Sequence, residues 1–338
     1  RRVGSEMCIR DRLTGGFQDA SGAASTARFD ALMGDVTGMI FWTLVGLLLT
    51  GGIIYAGVQK GIERAVRLLM PTLFLLLVGL AAYNLFAGGF GAAADYLFSA
   101  DFSKVGPGTL LAAIGQAFFS VGVAMAGMMT FGAYLPKEIS IPRSVLIIVT
   151  ADTMVALVAG LVIFPAVFKF GLDPAGGAGL VFQTLPVAFA QMPGGAIVAV
   201  LFFLLLTVGG ITSMVGLVEP VVSWLEEHQG FSRHKSTLTI MGSIAVLSVV
   251  SVLSYNLIAD WKIFGLDLNG ALDYLSNQVL LPLGGFLLAF FVGWCVSRQT
   301  SKDELNMGSA TVFRLWHFAI RYLVPPAVLL ILITGLAS

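Results

Sequence analysis

The sequence is poor in charge, cysteine and histidine, and each shortage excludes a class of protein. Its 338 residues include 2 cysteines and 3 histidines, and only 11% of them are charged. Cys8 and Cys295 have no evident partner, so the sequence predicts neither a disulfide framework nor a metal-ligand cluster. The 19 basic and 19 acidic residues cancel, which leaves no electrostatic footprint for nucleic acid. His228, His234 and His317 fall near predicted membrane edges, where interfacial or capping roles are commoner than catalytic ones.

Apolar residues dominate what is present. Hydrophobic residues make up 57% of the chain, and its mean hydropathy is +0.91. A soluble domain of this length cannot bury so much apolar surface, because the interior of a single domain is limited. The composition therefore predicts an all-α polytopic membrane protein.

Residues 1–12, RRVGSEMCIRDR, do not fit this composition. They contain four arginines and lack the apolar core of a signal peptide. The string resembles a translated adapter sequence, and a genuine basic loop is the alternative. We exclude these residues from the fold prediction and expect the chain to begin inside a longer reading frame.

Eight stretches are long and apolar enough to span a membrane, which takes about 20 residues. They lie at about 37–57, 66–87, 109–134, 144–168, 195–225, 237–256, 275–297 and 315–336. Ten basic residues follow the odd-numbered spans, namely Lys60, Arg64, Arg67, Lys137, Arg143, Arg233, Lys235, Arg298, Lys302 and Arg314. The opposite loops hold four, namely Arg28, Lys104, Lys169 and Lys262. The positive-inside rule then places the N-terminal loop and the C-terminus outside.

The connections between spans are predicted as loops. Residues 13–36, 88–108 and 257–274 read as external loops, and 298 onward as a cytoplasmic loop before the final span. Residues 169–194 are half apolar but too interrupted by Gly and Pro to span. An external re-entrant lid and a simple surface loop remain alternatives for this segment.

The third span is weakened at its centre by residues 122–127, GVAMAG. In hydrocarbon every backbone N–H and C=O needs a partner, so unwound backbone occurs where it lines a protein cavity. This segment is the predicted floor of a binding site.

Three polar features lie inside other spans. Asp152 is about eight residues, or about 12 Å, into the fourth span, where a carboxylate needs a partner. A bound cation, a proton, and hydrogen bonding of a neutral Asp within the bundle are the alternatives. In the fifth span, Gly209, Thr212 and Ser213 offer three oxygens to a hard cation, although hydroxyls in membrane helices commonly bond the preceding turn. Glu219, two turns further along, marks either an inner exit path or a buried acid bonded across helices.

Three separated segments agree in order and spacing with a known family. They are VQKGIERAVRLLMPTLFLL (58–76), GQAFFSVGVAMAG with MMTFGAYLPKE (115–138), and GGITSMVGLVEPVVSWLEE (209–227). Together they resemble the bacterial amino-acid-transporting branch of the neurotransmitter:sodium symporter family. The resemblance covers nearly everything from Phe29 onward.

The resemblance implies a partial leucine-transporter inverted-repeat fold, in which two five-helix repeats cross the membrane in opposite senses. The eight spans correspond to the fourth to eleventh helices. Residues 37–87 then hold the last two helices of the first repeat, 109–297 the complete second repeat, and 298–338 a cytoplasmic loop and the final helix. We therefore expect the chain to be a fragment without the first three helices, inactive alone.

The resemblance also implies site residues. Carbonyls of Phe119, Ser120 and Gly122 correspond to those that meet the substrate ammonium, and Phe119 also closes the pocket. Side chains that line the pocket correspond to Met125, Met214 and Leu217. The first sodium site corresponds to Ser120 and Asp152, and the second to Gly209, Thr212 and Ser213. Gate residues correspond to Asp273 on the outer side, and to Glu227 and Tyr134 on the inner side.

Asp152 departs from the family pattern, which usually has Asn at this position. Gln116 and Ser120 match members of the chloride site of chloride-dependent relatives, but the serine expected one turn after Asp152 is Ala156. Our hypothesis is that the Asp152 carboxylate supplies the negative charge that chloride gives elsewhere, which would make transport independent of chloride.

The function implied by the resemblance is sodium-coupled amino-acid symport across the bacterial inner membrane by alternating access. The apolar lining favours hydrophobic substrates, Na⁺ is the coupling ion, and no other cofactor is implied. A membrane amino-acid receptor or scaffold is one alternative. An intramembrane enzyme is the other, although no span pairs a nucleophile with a base.

Overall fold

The structure is a computed structural model that describes residues 22–99, 101–133, 135–136, 138–169, 181–182 and 185–337. Its α-helices are α1 Gly22–Gly34, α2 Val36–Tyr55, α3 Arg64–Ala87, α4 Phe90–Phe98, α5 Pro107–Val121, α6 Gly127–Ala133, α7 Ile141–Lys169, α8 Leu185–Ala190, α9 Gly195–Gln229, α10 Arg233–Leu253, α11 Leu268–Tyr274, α12 Leu281–Phe290, α13 Arg298–Leu305, α14 Ala310–Phe318 and α15 Val324–Ala337. Short 3₁₀ turns lie at Phe102–Lys104 and Val123–Met125. Stretches of π-helix include Val58–Glu63, Leu275–Leu280, Phe291–Cys295 and Ala319–Leu323. A small hairpin pairs β1 Lys262–Ile263 with β2 Leu266–Asp267.

Seven helical stretches of the described part are long and apolar enough to cross a membrane. They are Val36–Tyr55, Lys60–Ala87, Ile141–Lys169, Gly195–Gln229, Arg233–Leu253, Leu268–Cys295 and Ala310–Leu336. Each overlaps one predicted span, and the remaining predicted span is the one divided between α5 and α6. The prediction of an all-α polytopic membrane protein is confirmed.

Two predicted loops contain helices too short to span. The loop predicted over 13–36 includes α1, and the loop over 88–108 includes α4. Both helices carry several alanines, which favour helix without adding enough apolar length to cross a bilayer. Of the predicted lid, α8 is helical, whereas 170–180 and 183–184 lie outside the described residues, as do 1–21.

The chain forms two compact units. Unit 1 comprises the described residues of 1–100 and 155–262, and unit 2 those of 101–154 and 263–338. The core of unit 1 forms where α3, α8, α9 and the last part of α7 pack together. Its largest fully buried side chains include Phe189, Phe202 and Phe203.

A buried amide closes a gap in the backbone of α7 in unit 1. Pro165 lies inside α7 and has no N–H for the carbonyl of Leu161, four residues back. Asn84 of α3 is 3% exposed, and its Nδ2 donates to Leu161 O at 3.1 Å and Val162 O at 2.7 Å. The freed carbonyl is therefore satisfied inside the protein, as hydrocarbon surroundings require.

The helices of unit 2 pack closely against one another. Its contacts join α12 to α15 and to the 3₁₀ turn at Val123–Met125. A Cβ on Gly335 would lie 2.7 Å from Gln278 Oε1, and one on Gly293 would lie 3.0 Å from the Arg321 Cα. Small residues at helix interfaces let backbones approach, which is the usual packing of membrane helices.

Candidate functional site

The predicted break in the third span is confirmed. After α5, Gly122 adopts a left-handed conformation with φ of 66°, and Ala126 does so with φ of 59°. Glycine accepts this conformation freely, whereas for Ala126 it costs about 1–2 kcal/mol. The helical ladder ends here, which leaves the last carbonyls of α5, including those of Phe119 and Ser120, without the usual intrahelical partners.

Ser120, beside this break, contacts Asp152 of α7, and both belong to unit 2. Ser120 Oγ lies 2.9 Å from Asp152 Oδ1 and 2.8 Å from Oδ2, so it donates to the carboxylate. Within the described residues no Lys or Arg pairs with Asp152. A hydroxyl and a carboxylate side by side are hard oxygen donors, and the negative charge lacks a compensating cation from the chain.

Unit 2 also contains a cavity of about 230 Å³ lined by Gly115, Gln116, Asn277, Gln278, Leu281, Pro282, Val328 and Ile331. The predicted outer-gate residue Asp273 adjoins this cavity, because its Oδ1 accepts from Asn277 Nδ2 at 2.9 Å. Asn277 and Gln278 were missed by the sequence prediction. Two adjacent amides inside an apolar span were the signal that could have identified them.

In unit 1 the three predicted second-site oxygens lie together on α9. Gly209 O accepts from Thr212 Oγ1 at 2.9 Å and from Ser213 Oγ at 2.8 Å. Thr212 Oγ1 also approaches Val208 O at 3.1 Å. The two hydroxyls thus donate to carbonyls of the preceding turn, as the alternative interpretation predicted. The same geometry places three oxygen atoms within one turn of a continuous helix.

Met214 and Leu217 also belong to α9, whereas Phe119, Ser120, Gly122 and Met125 belong to unit 2. A small core forms between α9 and the residues Ile54 and Ile62. The α9 side chains in it are Val215, Val218 and Val222, which alternate along the sequence with Met214 and Leu217. Leu217 remains 48% exposed, and Met214 is half-buried. Both side chains are thus excluded from the tightly packed face of α9.

Glu219 is a buried acid bonded across helices, which was one of its two predicted roles. It is fully buried, and its Oε2 lies 2.7 Å from Arg233 Nη2 while its Oε1 lies 2.8 Å from Nη1. Arg233, the first residue of α10, also pairs with Glu226 at 3.1 Å and donates to Ile54 O at the end of α2. The guanidinium therefore ties together α2, α9 and α10 within unit 1.

The structure shows less about the predicted inner-gate residues Glu227 and Tyr134. Glu227 is exposed in the last turn of α9, one residue beyond the Arg233 network. Tyr134 lies outside the described residues. Their gating roles stay predictions.

Comparison with known proteins identifies the fold. The crystal structure of MhsT in complex with L-phenylalanine superposes with a TM-score of 0.87 at 34% sequence identity, covering 98% of this chain and 76% of that one. MhsT has the leucine-transporter fold, so the implied fold is confirmed.

Sequence comparison gives the same relationship. An uncharacterized sodium-dependent transporter of Haemophilus influenzae is 31% identical over 88% of this chain and 65% of its own length. The uncharacterized sodium-dependent transporter YhdH of Bacillus subtilis is 32% identical over 94% of this chain and 71% of its own length. The chain thus spans about two thirds of the Haemophilus relative, and these relatives are transporters rather than enzymes. The sequence pattern of the sodium:neurotransmitter symporter family matches residues 32–338, and the chain belongs to that family.

Proposed function

We propose that the protein is a sodium-coupled symporter that takes up hydrophobic amino acids across the bacterial cytoplasmic membrane by alternating access. The observation that carries this proposal is the break at Gly122 to Ala126 beside the paired Ser120 and Asp152. Discontinuous helices hold substrate and ions near the bilayer midplane in transporters of this architecture.

We place the substrate ammonium at the carbonyls of Phe119 and Ser120, freed at the end of α5, and of Gly122, which also accepts from Met125 N at 3.1 Å. By the family resemblance, Met125, Met214 and Leu217 correspond to side chains that line the substrate's variable group. Apolar, flexible lining of this kind suits a hydrophobic amino acid. The similar structure MhsT holds L-phenylalanine, which supports an aromatic or large aliphatic substrate.

One Na⁺ binds at Ser120 and Asp152, and a second at Gly209, Thr212 and Ser213. At the first site the ion neutralises a carboxylate that has no cationic partner in the described residues. At the second site the Thr212 and Ser213 hydroxyl oxygens both lie within 2.9 Å of Gly209 O. Both donor sets are oxygen-only, as a hard monovalent cation prefers.

The Asp152 charge supports transport that does not need chloride. Full activity of the wild type in chloride-free gluconate buffer is expected, together with chloride stimulation of the Asp152→Asn variant. An Asp152→Asn variant that remains active and independent of chloride would contradict this part of the proposal.

Uptake into proteoliposomes tests the whole proposal. The product of the complete reading frame is reconstituted, and radiolabelled L-phenylalanine is supplied with an inward Na⁺ gradient or with K⁺ in its place. We expect accumulation above the external concentration with Na⁺ alone. Ser120→Ala should reduce it at least tenfold, whereas Ser144→Ala should not, because Ser144 Oγ merely donates to the carbonyl of Ser140, the residue before α7.

The competing interpretation is a membrane receptor that binds an amino acid without moving it. Saturable, sodium-dependent binding with no accumulation inside the vesicles would support the receptor. Uptake that is equal with Na⁺ and K⁺ would remove sodium coupling while leaving transport intact.

A further inference from the structure

A basic face on the last membrane span has no role in the transport cycle described above. It consists of Arg314, His317 and Arg321, in α14 and the π-helical stretch that follows it. Their spacings of three and four residues place them on one side of the helix. Within the described residues, no carboxylate pairs with any of the three.

Arg321 is held in place by aromatic groups. Its guanidinium carbon lies 4.2 Å from the centre of the Trp294 ring and 5.6 Å from that of Tyr322. Trp294 Nε1 also donates to Arg321 O at 3.2 Å, so the two π-helical stretches are tied together. The charge is thus fixed by contacts that do not neutralise it.

Two buried nitrogen atoms on this face have no hydrogen-bond partner in the part of the chain that the structure describes. They are Arg321 Nε and His317 Nδ1. The His317 ring stacks on Phe313 at 5.9 Å, and the Arg298 guanidinium carbon lies 6.0 Å from the centre of the same Phe313 ring. The unsatisfied Arg321 Nε–H calls for an acceptor, and a further arginine, Arg298, lies beside the same Phe313 ring.

The face lies toward the charged end of the last span. That span runs from Ala310 to Leu336, and the charged helix α13 precedes it. Arg314, His317 and Arg321 all fall in the half of the span that follows α13, which is the half nearer the headgroups on that side.

We propose that this face, with Arg298, binds the phosphodiester of an anionic phospholipid. The arginines donate to the phosphate oxygens, as guanidinium groups do wherever phosphate is recognised, and the acyl chains lie along the exposed apolar surface of α15. Leu329, Leu330 and Ile333 provide that surface, at 39%, 51% and 53% exposed. We expect the site to prefer anionic lipids, because a zwitterionic headgroup carries its own ammonium group, which competes with the arginines for the phosphate.

Native mass spectrometry of the purified protein tests this site. The protein is titrated with dioleoyl phosphatidylglycerol or with dioleoyl phosphatidylcholine, which share acyl chains and differ in net charge. We expect at least tenfold tighter retention of phosphatidylglycerol. Arg321→Gln should weaken that retention at least fivefold and leave phosphatidylcholine unchanged.

Arg314→Gln provides a second variant whose folding is secure, because Arg314 is exposed, and it should weaken retention in the same direction. The matched control is Arg64→Gln, which removes an exposed arginine from α3 in unit 1. Equal retention of the two lipids, or equal losses in all three variants, overturns the proposal. Displacement of phosphatidylglycerol by excess inorganic phosphate would also overturn it, because the site would then take the free anion.

Discussion

Glu219 and Asp152 are carboxylates that both lie within membrane-spanning helices, and their surroundings differ. Glu219 in unit 1 is fully buried and chelated by a guanidinium through two contacts of 2.7 and 2.8 Å. Asp152 in unit 2 contacts a serine hydroxyl and has no cationic side chain in the described residues. A carboxylate whose charge is already neutralised can hold helices together but offers nothing to an ion. The unneutralised one is available to a cation from solution.

The largest expected effect comes from breaking the paired carboxylate. Arg233→Gln leaves Glu219 as an uncompensated buried charge, so we expect the free energy of unfolding in detergent to fall by about 3–5 kcal/mol. Glu219→Gln combined with Arg233→Gln should recover much of that loss, because no buried charge remains. A double variant as unstable as the single one would show that shape, not charge, makes this contact important.

The unpaired carboxylate should respond in the opposite way. In sodium-free buffer Asp152→Asn removes a charge that has no chain partner, so stability should rise by up to about 2.5 kcal/mol. In saturating Na⁺ the wild type should gain more stability than the variant, whose first site has lost its carboxylate, by linkage of binding to folding. Thermal unfolding with Na⁺ and with K⁺ measures both changes in stability. Equal sodium stabilisation of the two proteins would contradict the assignment of Asp152.

A smaller effect is expected at the α9 oxygens. Thr212→Val keeps the shape of the side chain and removes one of three neutral ligands, so Na⁺ affinity should fall about threefold to tenfold, or about 0.7–1.4 kcal/mol. Thr72→Val is the matched control, because Thr72 Oγ1 likewise donates to a carbonyl four residues back, that of Leu68. Scintillation proximity with ²²Na⁺ reports the affinities. An equal change in both variants would assign the effect to helix geometry.

The smallest effects concern the backbone beside Asp152. Gly122→Ala places a side chain in a left-handed conformation and should lower stability by about 1 kcal/mol, whereas Ala126→Gly relieves the same strain and should have an effect near zero or slightly favourable. Urea unfolding of the two single variants provides the comparison. Equal losses in both would mean that the two residues do not hold these conformations in the membrane.

The sequence predicted the spans because apolar length alone identifies them, and it predicted the break because two glycines bracket residues 122–127. It could not predict the left-handed Ala126, since alanine alone favours helix. The Arg233 partner of Glu219 was also missed, because Arg233 was assigned to a loop 14 residues away. Gly230, with φ of 63°, turns the chain back so that α10 begins beside the acid. Which side chains such a turn brings together depends on the path of the backbone, and the spacing of apolar residues in the sequence does not reveal that path.

The amide of Asn84 has a mechanical consequence for α7. Its two bonds to consecutive carbonyls, Leu161 O and Val162 O, resist both sliding and axial rotation of that part of α7 against α3. The proline that weakens α7 at position 165 therefore does not make a free joint there.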